Sequence, residues 1–374
     1  MSTVQPLRPL HELRSFSPET QFEILDALSR RSFELTLSPT EHCNFRCSYC
    51  YEDFAIGRMR PAVIAGVKKL LARKIPGLRR LRLSWFGGEP LLAANLCLDI
   101  AGYAMQLCTT HGVQLTGAVT TNGSLLDTAL AGRFVALNHT QFQISLDGDQ
   151  LYHDRVRLRA DRSGSFNLIT GNLLALRDTD LQFKITLRLH VSGDNQDSLR
   201  SLLRRLHGWF HGDRRFEIGF HPLNDLGSPN KDAYVPVTHE DYARRVRELQ
   251  QEMPRELAAH DMICANGESV HVCYASKPNA LFVRADGRVA KCTVALDERF
   301  NHLGRLNADG EVEISERLMH KWTVGLRTLD PIDLMCPLHK GREYFESQQD
   351  SAAAMPVEPV FPPAGLADGD RPDA

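Results

Sequence analysis

The chain has 374 residues, 43% of them hydrophobic and 24% charged, enough for one large or two ordinary packed domains. Its formal net charge of −2 excludes a nucleic-acid-scale basic field. No apolar run of membrane length and no signal-peptide pattern is seen, so the chain reads as cytoplasmic, without membrane or nucleic-acid partners, and its nine Cys read as metal ligands rather than disulfides.

Residues 1–32 read as an N-terminal extension, in which Ser17-Pro18 marks a helix start with Phe22, Leu25 and Leu28 on one face. Strands and helices then alternate over 33–235. Strands are expected at Phe33–Leu37, Leu81–Phe86, Val113–Thr120, Gln141–Leu146, Phe183–His190 and Phe216–Phe220. Helices are expected at Pro61–Leu71, from the second strand to about Cys108, near Leu126–Leu137, at Phe166–Leu176 and at Ser198–Trp209. This alternation predicts an α/β fold, a partial (β/α)6 TIM-like barrel with a parallel sheet. A charged linker helix is expected over 236–260, a small C-terminal cysteine-rich β-hairpin domain over 261–345, and a disordered tail over 346–374.

The unusual residues fall after strand ends, where barrels of this kind carry their chemistry. After the first strand come Cys43, Cys47 and Cys50, spaced Cys-x3-Cys-x2-Cys. Soft thiolates select zinc or iron–sulfur. Zinc usually takes two ligand pairs, and no fourth ligand lies near, so one metal corner is left open. A zinc knuckle is the plain alternative. Gly87-Gly88-Glu89-Pro90 follows the second strand, offering close backbone approach and a carboxylate. Asn122, in Thr121-Asn122-Gly123, follows the third, and Ser145 and Asp147 end the fourth. Each of these is also a turn former. Arg157 can hold a carboxylate by two parallel hydrogen bonds. Arg188 stands in a mostly apolar strand, where a barrel-facing guanidinium is costly unless paired.

The C-terminal region holds Cys264, Cys273, Cys292 and Cys336. Ala280–Arg284 and Arg288–Ala290 flank an Asp286-Gly287 turn, which reads as a hairpin with a Cys near each end. Cys97 and Cys108, in an expected helix, read as buried small hydrophobes.

The Cys-x3-Cys-x2-Cys loop, with Tyr49 before its last Cys, resembles the signature of the radical S-adenosylmethionine (radical SAM) enzymes. The likeness covers about Phe33 to Lys340. It implies a catalytic [4Fe-4S] cluster on Cys43, Cys47 and Cys50 and S-adenosylmethionine on the open iron. It also implies a 5′-deoxyadenosyl radical as the reactive species and a flavodoxin- or ferredoxin-type reductase. Gly87, Gly88 and Glu89 then grip the methionine amino group, with Tyr49, Asn122 and Ser145 also on the cofactor, and Asp147, Arg157 and Arg188 as catalytic residues. His153-Asp154-x-x-Arg157 followed by Gly164-Ser165-Phe166 resembles the peptide-modifying branch.

Cys273-x13-Gly287-x4-Cys292 resembles the first half of a SPASM extension, or its shortened twitch form, which implies one auxiliary [4Fe-4S] cluster on Cys264, Cys273, Cys292 and Cys336. The dense late Cys series of a full SPASM is missing, and His339 stands where a Cys is expected. The expected function is post-translational modification of a ribosomally made precursor peptide, by oxidative C–C or thioether cross-linking. Its leader is recognised by the barrel, by strand addition to the hairpin, or by a separate leader-binding protein, because 1–32 is too short for a leader-binding domain. The alternatives are a sulfatase-maturating type, disfavoured because Thr293 rather than Asp follows Cys292, a small-molecule twitch dehydrogenase or mutase, and an iron–sulfur carrier.

Overall fold

The computed structural model describes residues 12–226, 234–253, 259–261 and 270–347. Helix α1 (Pro18–Ala27) precedes β1 (Ser32–Leu37). There follow β2 (Phe45–Cys47), α2 (Pro61–Lys74), β3 (Arg80–Trp85), α3 (Ala94–His111), β4 (Gln114–Thr121), α4 (Thr128–Val135), β5 (His139–Leu146), α5 (Gln150–Val156), β6 (Arg157–Arg159), α6 (Phe166–Arg177), β7 (Lys184–Val191), α7 (Gln196–Phe210) and β8 (Phe216–Pro222). The C-terminal part adds α8 (His239–Glu252), β9 (Ala259–Asp261), β10 (Ala280–Val283), β11 (Arg288–Ala290), β12 (His302–Leu306) and β13 (Val312–Ile314). It ends in the short helices α9 (Glu316–Trp322), α10 (Val324–Thr328), α11 (Pro331–Met335) and α12 (Gly341–Glu346).

β1, β3, β4, β5, β7 and β8 pair in parallel in that order, the expected six-stranded partial barrel. Alternation decides which face is which. Leu81, Leu83, Trp85, Phe142, Ile144, Ile185, Leu187 and Leu189 are buried and belong to one continuous core. The residues between them, among them Ser84, Gln143, Ser145, Thr186 and Arg188, are only half-buried and line the opposite, inner face. A parallel sheet with one polar face is unusual, because crossovers normally cover both with apolar side chains. Here the inner face is a site.

The sheet does not end at the barrel. β10 pairs in parallel with β1, and β11, β12 and β13 follow antiparallel, while β9 pairs in parallel with β8. The β10–β11 hairpin forms where the sequence places it, with Gly287 at φ +89° in its turn. Both its strands are flanked by strands on each side, so the expected addition of a leader strand to the hairpin is overturned: neither hairpin strand is an edge strand.

Other expectations need correcting. Phe22, Leu25 and Leu28 are 55%, 56% and 48% exposed. The buried stripe of α1 is Thr20, Ile24 and Ala27. Ile24 and Ala27 pack on Val272, Leu326 and Leu334 of the C-terminal part. Thr20 Oγ1 donates to the Val270 carbonyl and Val272 N–H to Glu23 at 2.6 Å, so distant chain rather than local periodicity chooses the face. Helix α8 stops at Glu252 instead of near His260, because Met253 precedes a proline and is extended (φ −80°, ψ 139°). Pro90–His111 is, contrary to expectation, long and apolar enough to span a membrane by length and a mean hydropathy of 1.4. In the fold it lies on the sheet, with Cys97, Ile100, Ala101, Ala104 and Cys108 buried.

The C-terminal strands are braced against α2. Lys69 Nζ meets Asp309 at 2.7 Å and Arg73 donates to the Asp309 carbonyl at 2.9 Å. A Cβ at Gly66 would stand 2.2 Å from the Asn307 carbonyl oxygen, a backbone atom that cannot swing aside. Gly66→Ala should therefore destabilise the chain by about 1–3 kcal/mol in urea unfolding, although Ala is the better helix former by about 1 kcal/mol. A variant as stable as the parent would refute this packing.

Candidate active site

Three thiols stand on one loop at the C-terminal end of β1. The loop is closed by Glu41 N–H to the Gly57 carbonyl at 2.8 Å and Met59 N–H to the Pro39 carbonyl at 2.9 Å. Its middle is β2, which pairs antiparallel with β6 and sets Cys47 opposite Arg157. Cys43, Cys47 and Cys50 are all free and half-buried. Burial pushes Cys43 and Cys50 up to about 12, and the other sulfurs of the trio add to it. Three thiolates here are thus costly unless a cationic group repays them, which is what a metal cluster does. For Cys47 burial is opposed by the Arg157 charge. Among the described residues no three His, Cys, Asp or Glu converge at the spacing of a single metal ion. An iron–sulfur cluster takes its thiolates around its periphery, so the donor set fits that group better than zinc.

The loop after β3 holds the cysteine loop in place. A Cβ on Gly88 would lie 2.5 Å from the His42 carbonyl and 2.6 Å from that of Glu41, and one on Gly87, at φ +121°, 2.3 Å from that of Thr40. Glu89 is fully buried. It accepts from Thr121 Oγ1 and Asn122 N–H, each at 2.7 Å, and from Leu91 N–H at 2.9 Å, while its own N–H donates to the His42 carbonyl at 2.9 Å. Burial raises its carboxyl and these donors pull it back. Asn122 donates to Asn44 at 2.8 Å, and its Oδ1 takes Ser124 Oγ–H at 2.6 Å. Four of the six positions expected on a cofactor, Gly87, Gly88, Glu89 and Asn122, thus clamp three loops together.

A second network lies across the mouth. Tyr49 donates to Asp147 at 2.5 Å and accepts from Arg157 at 2.5 Å, while His190 Nδ1 meets the other Asp147 oxygen at 2.7 Å. Burial opposes ionisation of Asp147, but His190 and Arg157 outweigh it and hold the carboxyl well below the usual range. Asp147 N–H donates to His153 Nδ1 at 3.3 Å, which requires the tautomer with the proton on Nε2, placed 3.0 Å from Ser165 Oγ. Ser165 in turn donates to the Arg157 carbonyl at 2.7 Å. Residues 150–159, which lie outside the strands and helices expected from the sequence, are α5 and β6, and they carry this network.

Ser145 is in register with Arg188 on β7, which faces Gly219 on β8. The Nε of Arg188 is buried without a partner, as is that of Arg157. His190 and Asn195, whose Nδ2 donates to the Asp147 carbonyl at 3.0 Å, were missed by sequence reasoning, and His153 and Ser165 stood there only within a motif, without a role. His190 had a signal: it stands two positions beyond Arg188 and so shares its strand face. Glu52, also missed, has one carboxylate oxygen buried without a partner, and burial, with Glu41 beside it, lifts it to about 8.

In the C-terminal part Cys273 is half-buried, Cys292 buried and Cys336 exposed. Burial, then the charge of Cys292 and that of Cys336, push Cys273 up to about 12, and Cys273 packs against the apolar cluster that contains Cys292. Cys264 lies outside the described residues. His339 is committed to Asp333 at 2.5 Å. Cys97 and Cys108 are buried in α3, as expected of small hydrophobes.

Residues 37–206 match the Radical SAM superfamily model. They have the radical SAM fold. The chain is 32% identical over 216 residues to a GTP 3′,8-cyclase of Rhodopseudomonas palustris (strain TIE-1), across 57% of this chain and 60% of the cyclase, so it spans well under two thirds of that relative's length. It is 26% identical over 230 residues to a cysteine-type anaerobic sulfatase-maturating enzyme of Clostridium novyi (strain NT), across 59% of each. The solved structure of native anSMEcpe with bound AdoMet and Cp18Cys peptide superposes with a TM-score of 0.57 at 18% identity, over 84% of this chain and 87% of that one. At that identity the likeness is one of fold.

The radical SAM domain keeps His153 neutral. Burial pushes it down to about 4 from 6.5. Between these values the unfolded chain binds a proton that the native chain does not, so native stability falls as pH drops through the window, by up to about 1.4 kcal/mol per pH unit for each such histidine. His153→Gln should remove one such increment. The stability gap between parent and variant in urea unfolding should narrow from pH 7 to pH 5, and a constant gap would contradict a buried neutral His153.

Proposed function

We propose that this chain is a radical SAM enzyme that modifies a peptide and carries one auxiliary cluster in its C-terminal part. The observation that carries the radical SAM reading is the thiol trio Cys43, Cys47 and Cys50 at the mouth of a radical SAM domain, with Cys47 in register against Arg157. When bound, the cluster and S-adenosylmethionine supply a 5′-deoxyadenosyl radical that takes a substrate hydrogen.

The chain's own residues have these parts. Cys43, Cys47 and Cys50 would hold the catalytic [4Fe-4S] cluster, beside which S-adenosylmethionine would bind. Arg157 offsets the thiolate charge beside it and keeps the Tyr49–Asp147 pair oriented. Glu89 and Asn122 fix the loops against which the cofactor lies and leave backbone groups at the mouth for it. Ser145 and Asp147 face the cofactor or substrate as hydrogen-bonding groups. Arg188, half-buried and with its Nε buried without a partner, receives an anionic group, the carboxylate of the cofactor or of the substrate. Cys273, Cys292 and Cys336, with Cys264, hold the auxiliary [4Fe-4S] cluster, whose place is to bind substrate or take the electron left after hydrogen abstraction. A flavodoxin- or ferredoxin-type protein supplies the starting electron.

The C-terminal cysteine group and the fold shared with a peptide-bound structure support a peptide substrate, and oxidative cross-linking is the favoured outcome. The identity to GTP 3′,8-cyclases favours a second reading, cyclisation of a nucleotide. A triphosphate needs several cations, and of the two guanidiniums described at the mouth, Arg157 is already committed to Tyr49.

Anaerobically reconstituted chain should hold about eight irons, as two four-iron clusters require, falling to about four in Cys292→Ala. Replacing Cys43, Cys47 and Cys50 by Ala should abolish 5′-deoxyadenosine formation under dithionite; formation at the parent rate would sink the assignment. Co-expression with short peptides encoded beside the gene, read by mass spectrometry, should show a loss of two hydrogens per cross-link. Turnover of GTP with every such peptide unchanged would put the nucleotide reading in its place.

A further inference from the structure

Three residues that each directly follow a cysteine meet at one point. Tyr51 follows Cys50, Tyr274 follows Cys273 and Thr293 follows Cys292. Tyr51 Oη donates to the Thr293 carbonyl at 3.0 Å. Thr293 N–H donates to Tyr274 Oη at 3.0 Å, and the Thr293 hydroxyl lies 2.8 Å from the same oxygen. Thr293 thus has its N–H, its carbonyl and its hydroxyl all engaged, and is a fixed point of the chain rather than a free group.

The ring of Tyr51 packs with Phe86 against Phe282, Ala290 and Leu296, so its hydroxyl is aimed by the core beneath it. From Cys50 to Cys292 the connection is covalent except for one hydrogen bond. Electronic coupling through bonds and hydrogen bonds decays less steeply than through van der Waals gaps.

We propose that Tyr51 and Thr293 form the path for one electron between the group held at Cys43, Cys47 and Cys50 and the group held at Cys273, Cys292 and Cys336, with Tyr274 as the pin that fixes Thr293. The proposal rests on the auxiliary-cluster reading above. One electron moves and nothing else: one group is oxidised by one, the other reduced by one, no bond changes and no proton is transferred. Of these contacts only the one between the Thr293 hydroxyl and Tyr274 depends on the residue being a threonine.

The test uses the full chain loaded with both clusters, partly reduced by a pulse of photoreduced deazaflavin, with rapid-freeze electron paramagnetic resonance following redistribution between the two signals. Tyr51→Phe keeps the ring and deletes the hydrogen bond. It should slow redistribution severalfold while iron content and both midpoint potentials stay at parent values. Phe86→Leu disturbs the same packing and spares the hydrogen bond, and should redistribute near the parent rate. Redistribution at the parent rate in Tyr51→Phe overturns the proposal. So does equal slowing in Phe86→Leu, which makes the effect one of packing, and so does loss of iron or a shifted potential in Tyr51→Phe, which makes Tyr51 a structural post. A single parent signal that Cys292→Ala leaves unchanged instead fails the auxiliary-cluster reading itself.

Discussion

Arg284 leaves the end of β10 and enters the barrel wall, where it meets Glu41 through two hydrogen bonds of 3.1 and 2.6 Å, with a third to the Leu296 carbonyl at 2.8 Å. Both side chains are almost wholly buried. Breaking one partner of such a pair leaves a buried charge alone, at a cost of about 3–5 kcal/mol. Glu41 lies two residues before Cys43, so the C-terminal part and the cysteine loop cannot move independently. The same loop is pressed from the other side by Gly88, whose missing side chain lets its backbone reach the Glu41 and His42 carbonyls. Between the ion pair and that contact, the position of the first thiol is decided by residues from opposite ends of the chain.

Much of this arrangement is legible in the amino-acid sequence. The strands announce themselves by apolar alternation, and the chemistry falls after their ends because short polar turn formers there have no core to serve. The cysteine spacing and the hairpin pair are covalent facts that folding does not alter. What cannot be read depends on partners far along the chain. The face of α1 follows the 270–272 segment and not its own leucines. The Gly-Gly pair reads as a place of close backbone approach, but that the Thr40, Glu41 and His42 carbonyls make the approach depends on the fold. The His153–Arg157 stretch has too few residues to show a helix period, yet α5 and β6 emerge from it once β2 supplies a strand to pair with.

The inner face of the sheet shows how a costly side chain marks a site. Arg188 has Ser145 on one side and Gly219 on the other. A glycine neighbour leaves room that a larger side chain would close, and a guanidinium with a buried, unpaired nitrogen is unstable in an empty protein. Natural chains keep such a group where a ligand completes it. The Asp147–His190–Tyr49–Arg157 set beside it is the opposite case, a network whose charges are already balanced and which therefore gives shape rather than affinity.

The parallel pairing of β1 with β10 has a consequence for how the molecule is made. β1 acquires one neighbour, β3, early, and its other neighbour only after most of the chain has left the ribosome. Contacts of that sequence separation form late, since the intervening loop must be closed first. Until then the strand that leads into the thiol loop has an open edge, and the wall that Arg284 later seals is missing. The nascent chain thus passes through a stage in which the thiols are exposed to metal donors and to oxygen alike, so that maturation and damage compete during the same interval.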